Sequence, residues 1–149
     1  MEPIDRLDWR SGQLFQAYGK TIGVRVSDAD VLHHVRRVLP HCLVPTYGCE
    51  ADLLYSIISG SGTHVDRIRK YCILYAGAAL SARSLEIDEV LHRLRSDLDN
   101  SLPLIATDRV FLSAHLVEWN GEAVVAIGPG QKLVADNIIA IGGVLRSAA

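Results

Sequence analysis

The sequence predicts a mixed α+β domain: a mixed or largely antiparallel sheet packed by two to three helices. Three observations carry this. Short runs with period-two alternation, such as Thr21-Ile22-Gly23-Val24-Arg25-Val26, read as strands. Apolar stripes at helical spacing, such as Val31, Leu32, Val35 and Leu39, read as helix faces. An Asn120-Gly121 pair between two apolar runs reads as a hairpin turn, because both residues tolerate positive φ.

Taken in order, the first strand is Thr21–Val26. Ser27 and Asp28 then supply cap groups for a helix that Pro40 must end, since proline cannot continue the hydrogen-bond ladder. His41 to Gly48 reads as a loop or short strand around Pro45. Asp52 to Ser59 is rich in Leu, Tyr and Ile and reads as a buried strand. Gly60-Ser61-Gly62 makes a turn, and Arg69 to Tyr75 returns as its hairpin partner, closed by Ala76-Gly77-Ala78. A second helix starts near Ser84, with Glu86, Asp88 and Glu89 at its positive end and Leu85, Val90, Leu91, Leu94 and Leu98 inward. Pro103 predicts an end or kink near Ser101. Arg109 to Trp119 and Glu122 to Ile127 form the Asn-Gly hairpin. After Gly128-Pro129-Gly130 a last helix offers Leu133, Val134, Ile138, Ile141 and Leu145 for packing. Residues 1–149 read as one domain, with 1–106 an N-terminal α/β portion and 107–149 a hairpin plus helix.

Composition limits the function classes. At 149 residues the chain can bury roughly 68–70% of its unfolded surface, without help from a disulfide or metal. It is 49% hydrophobic and 21% charged, with net charge -2, so a nucleic-acid partner has no electrostatic support. No apolar run reaches the roughly 18 residues of a membrane span, and the early acids of the N-terminus do not make a signal peptide. Cys42, Cys49 and Cys72 are odd in number and irregular in spacing. Buried, reduced thiols in a cytoplasmic protein are therefore expected. Cys42 and Cys49 beside His41 are wider apart than zinc pairs usually are, and no metal or cofactor is expected.

A strand, a glycine turn and a helix form the frame of a phosphate-binding loop. The stretch from Arg109 to Gly128, with its hairpin, resembles the segment leading into the phosphate loop of HPr serine kinase-like proteins. The earlier part is also similar to that family: Ala17-Tyr18-Gly19, Ile22-Gly23-Val24-Arg25-Val26, Leu39-Pro40 and Asp52-Leu53-Leu54-Tyr55-Ser56. The resemblance implies a truncated P-loop-kinase-like core at the C-terminal end.

The chemistry of such a loop, G-x-x-x-x-G-K-[ST], needs backbone amides around the phosphates, a lysine on the β and γ oxygens, and a hydroxyl on Mg²⁺. With Gly128 as first glycine, the second glycine falls on Leu133, the lysine on Val134 and the hydroxyl on Ala135. A two-residue deletion would bring Lys132 into place, but then Gln131 replaces the glycine and Leu133 the hydroxyl residue. Neither register grips a nucleotide and its metal, so ATP-dependent kinase activity is not expected. The family's later strands, with acidic metal ligands and an acceptor site, are expected to be missing after Ala149. A sheet edge and an apolar face should then be left for a homodimer or a protein partner to cover.

The strand before the loop differs as well. Where the family shows a histidine and then Ala-Gly, this chain has Ser113, Ala114 and His115. Ser113 and His115 fall on one face of a strand, together with Trp119. His115 is a candidate base or ligand group, the alternative being a hydrogen-bonded, partly buried histidine. Gln131, Lys132 and Trp119 are candidate contacts for a small-molecule ligand. The helix start favours an anion, although Asp136 opposes one, so a plain solvated helix start is the better account. His33 and His34 are adjacent on a helix, so they do not share a face and are read as solvated beside Arg36 and Arg37. His41, Cys42, Tyr47 and Cys49 have the groups for a Cys–His nucleophile, but nothing fixes their geometry and loop packing is the better account. The functional expectation is a non-kinase binding or accessory protein. The alternatives are a repurposed small-molecule enzyme using His115 and Ser113, and a phosphotransferase completed by another chain.

Overall fold

The computed structural model describes residues 3–60, 71–112, 114–129, 131–140, 142 and 144–146. The fold is mixed α+β, and the chain forms two compact units, Met1–Asp108 and Arg109–Ala149. The predicted start of the hairpin portion at residue 107 lies beside this boundary. No helix among the described residues is long and apolar enough to cross a membrane.

The first unit contains strands β1 (Ser11–Ala17), β2 (Lys20–Val26), β3 (Val44–Thr46), β4 (Leu53–Ile58), β5 (Cys72–Ala76) and β6 (Ala79–Ser84). Their order is β3-β1-β2-β4-β5-β6, and every pairing is antiparallel except β2 with β4. Helices α1 (Ala29–Val38) and α2 (Ile87–Ile105) pack on β1, β2, β5 and β6 and touch each other, so both lie on one face. Alternation fixes that face as the core. Phe15, Ile22, Val24, Val26, Tyr55, Ile57 and Leu74 point into it and meet Val35, Leu91, Leu94 and Leu98 from the helices.

The helix boundaries follow from local chemistry. Asp28 caps α1 by accepting a hydrogen bond from the Asp30 amide at 3.2 Å, and Leu39 leaves the helix just before Pro40. Glu86 is the cap residue of α2, and its amide donates to Ser84 Oγ at 3.1 Å. Leu85, expected on the inner face, precedes the helix and is exposed. Pro103 does not end α2 near Ser101. The helix continues to Ile105, because burial of Leu102 and the Ala106 amide bond to its carbonyl at 3.1 Å hold the last turn.

Three strands were not anticipated. β1 precedes the predicted strand and joins it through Tyr18 and Gly19, at φ 54° and 73°, the signature of a two-residue hairpin turn. Tyrosine is uncommon in that conformation, which hid the turn. β6 is a weakly apolar edge strand that follows Gly77. In the second unit, β9 (Val144–Arg146) replaces what read as the end of a helix. The expected Asp52–Ser59 strand is present as β4 and pairs antiparallel with β5. Ser61 to Lys70, with the rest of the turn and the start of the return strand, lie outside the described residues.

The second unit holds β7 (Ala114–Trp119), β8 (Glu122–Ile127), α3 (Gln131–Ala140) and β9, in the sheet order β8-β7-β9. β7 begins five residues later than the run from Arg109 suggested, and Val110 and Leu112 are exposed. Asn120 and Gly121, at φ 52° and 80°, form the predicted hairpin turn. α3 ends at Ala140, and the Gly142 amide bonds to Ile139 at 3.0 Å from a positive φ of 101°. Ile141 lies outside the described residues.

Candidate functional site

β8, the following turn and α3 give the strand-turn-helix order that a phosphate loop uses. Only three residues separate Ile127 from Gln131. Gly128 adopts φ 92°, a conformation suited to glycine, and Pro129 has no N–H to donate. Lys132 is in the first turn of α3 and exposed, followed by exposed Leu133 and Val134. Ala135, where the ungapped family pattern needs a hydroxyl, is 2% exposed and packs inward. The connection thus has few amide donors, and no lysine or hydroxyl at the required positions.

His115 is half-buried on β7, opposite buried Ala126 of β8. It shares a face with Val117 and Trp119, and α3 covers that face through Ala135. Among the described residues no hydrogen bond to its imidazole is present. Ser113 lies outside the described residues. Trp119 is exposed at the far end of β7, beside the Asn120-Gly121 turn. Four residues of strand set it about 13 Å from His115. The hairpin therefore brings His115 and the start of α3 to one end and leaves Trp119 at the other. Gln131 is the first residue of α3.

The first unit carries a feature that the sequence reading passed over, a cleft of about 590 Å³ along the outer edge of β1. β3 pairs with Leu14 to Gln16 only, so Ser11 to Gln13 have no outer strand among the described residues. Leu32 and Arg36 of α1 line one wall, and Tyr47, Gly48 and Cys49 the other. Gln13 Oε1 accepts from Arg36 Nε at 2.9 Å and also from Nη2, which fixes the guanidinium over the notch. Arg36 makes no ion pair among the described residues. Because Gln13 and Leu14 point to opposite sheet faces, the two walls serve alternate side chains of an extended segment better than one compact ligand. Gly23 within the β2 pattern was the available signal. A Cβ there would lie 3.0 Å from Leu54 Cδ1 and 3.2 Å from Ala51 Cβ, so glycine lets the 46–52 segment close onto the sheet.

On the face away from the helices, Arg25 forms a polar clasp. Its Nη2 donates to Asp5 Oδ1 at 2.8 Å, its Nε donates to Ser56 Oγ at 2.8 Å, and its guanidinium lies 4.6 Å from the Trp9 ring centre. The Trp9 indole in turn donates to the Ile4 carbonyl at 3.1 Å. This clasp pins the N-terminal segment to the sheet and serves packing.

Among the described residues the remaining titratable groups do not converge. No group of three or more His, Cys, Asp or Glu among the described residues is placed to hold a metal ion. His33 and His34 meet edge-on, with ring centres 5.7 Å apart, and both are exposed. Cys72 is buried, but Cys42 is half-buried and Cys49 exposed, so only one thiol matches the expected buried state. Cys49 sits on the loop that leaves the sheet after β3, where no apolar layer covers it. No protein-family model, curated protein or solved structure matches the chain.

Proposed function

We propose that this chain is a binding or accessory protein without kinase activity, derived from an HPr kinase-like ancestor. One observation carries the reading: a three-residue turn containing Pro129 joins β8 to α3 and lacks the lysine, hydroxyl and amide set of a nucleotide loop. Without those groups this turn does not coordinate a triphosphate and its Mg²⁺, and the hairpin and helix act as packing elements. The β1-edge cleft and its Arg36, held by Gln13 and in no ion pair among the described residues, supply a binding surface suited to an extended or carboxylate-bearing ligand. The protein is expected to work in the cytoplasm, with a homodimer or partner chain over its exposed apolar surface.

A second reading keeps enzymatic chemistry at His115, a half-buried imidazole with no hydrogen bond among the described residues. Thermal melting with a ligand panel separates the possibilities. Saturating ATP–Mg²⁺ should leave the melting temperature unchanged. A true nucleotide site at about 100 times its Kd would add roughly 2.7 kcal/mol and shift melting by several degrees. A stabilising carboxylate or acidic peptide should lose its effect in Arg36→Ala and keep it in His115→Ala. The opposite pattern supports the enzyme.

A further inference from the structure

β8 is an edge strand, and among the described residues it is paired on one side only. Its sequence, Glu122-Ala123-Val124-Val125-Ala126-Ile127, contains one charge and no proline. It pairs with β7 without a bulge from Ala114↔Ile127 to Trp119↔Glu122. Edge strands are ordinarily guarded by lysines, prolines, bulges or shortness, and only Glu122 guards this one. On the face away from α3, Val125 and Ile127 are 56% and 57% exposed. Val144 of β9, on the same face, is 54% exposed.

We infer that a second copy of this chain covers the edge, β8 pairing with β8 in antiparallel fashion about a two-fold axis to give a six-stranded sheet. This rests on reading the second unit as a packing device rather than a catalytic loop. The strand's own pattern selects the occupant and the register. An axis perpendicular to the sheet keeps both α3 helices on one side and pairs residues that share a face. With Val125 on the axis, Val124 meets Ala126, Ala123 meets Ile127, and Glu122 meets Gly128 of the second copy. Larger side chains then face smaller ones. Glu122 arrives at the turn into α3, beside the positive helix end and exposed Lys132. Centring the axis on Val124 instead would set Glu122 against buried Ala126 and desolvate a carboxylate. A parallel pairing would put the two Glu122 side chains together.

A six-residue edge buries less than the roughly 1,600 Å² of a standard interface, so the dimer should be reversible, with a Kd in the micromolar range or weaker. The test is sedimentation equilibrium of the full chain under reducing conditions, from about 5 to about 500 µM, the range in which an interface of this size associates. A monomer–dimer equilibrium is expected. Val125→Lys brings two ammonium groups together at the axis and should weaken it at least about tenfold. Glu122→Lys should weaken it about two- to fivefold, and Lys132→Glu in that background should restore it.

A monomer throughout overturns the proposal. So does a dimer that a folded Val125→Lys variant leaves intact, or a charge swap that restores nothing. If Val125→Lys does not fold, the Glu122 and Lys132 variants, both on exposed positions, decide alone. A monomer that ignores nucleotides removes the dimer and leaves the accessory reading standing. A melting shift with ATP–Mg²⁺ removes that reading whatever the oligomeric state.

Discussion

Arg25→Met should cost the first unit about 3 kcal/mol, a sum that can be worked from its contacts. Ser56 is 0% exposed, and losing its Arg25 donor at 2.8 Å costs about 1–2 kcal/mol, because a buried hydroxyl is left short of a partner. The ion pair with Asp5 is at 2.8 Å, but the Asp5 side chain is 33% exposed, so solvent screening holds its contribution to about 1 kcal/mol. The contact with Trp9 adds about 0.5–1 kcal/mol. Methionine keeps much of the apolar stem, which separates these polar losses from lost packing.

Urea unfolding followed by Trp9 fluorescence in a Trp119→Phe background reads the first unit. With a slope of about 1–3 kcal/mol per molar, the midpoint should fall by about 1 M or more. Adding Ser56→Ala to Arg25→Met should recover about 1 kcal/mol, since it removes the orphaned hydroxyl. A loss below about 1 kcal/mol, or further destabilisation on adding Ser56→Ala, would refute the clasp as described.

Other outcomes follow from the same structure. Burial raises the Tyr55 phenol above its ordinary value of 10.0, against the opposing Ser101 hydrogen bond and with a smaller push from Asp97. A raised folded value means the contribution is complete below pH 10.0 and is lost as pH rises through the folded value, so alkaline unfolding should be blunted in Tyr55→Phe. Asp52 accepts the Thr21 amide at 2.7 Å and faces Lys20 at 3.6 Å, which holds its carboxyl below 3.8. Its contribution is present above 3.8 and is lost as pH falls through the lower folded value, so a carboxyl NMR titration of Asp52 should show a midpoint under 3.8. Leu94 is 0% exposed at the centre of α2, and Leu94→Ala should cost about 2–5 kcal/mol in chemical denaturation.

Much of this fold was legible because periodicity and punctuation agreed. α1 carries its stripe between an Asp28 cap and Pro40, and the Asn120-Gly121 turn lies where two apolar runs meet. The first hairpin was hidden by Tyr18, which takes positive φ without the usual turn residue, because the pairing of β1 with β2 overrides local preference. β6 and β9 carry too little apolar pattern to stand out, and they are strands only because a neighbour offers a ladder. The missing phosphate-loop groups could be read directly, since they are residue identities at fixed spacing. The β1-edge cleft could not, because it depends on where β3 stops pairing. That three-residue shortfall is a tertiary fact.

On the proposed function, the turn after β8 has no grip for a triphosphate. Phosphorus NMR of ATP–Mg²⁺ titrated with the protein tests it most directly, since each phosphate reports its own contacts. The β and γ resonances should neither shift nor broaden at equimolar protein. A saturable change at those two resonances, lost when Lys132 is replaced by alanine, would contradict it.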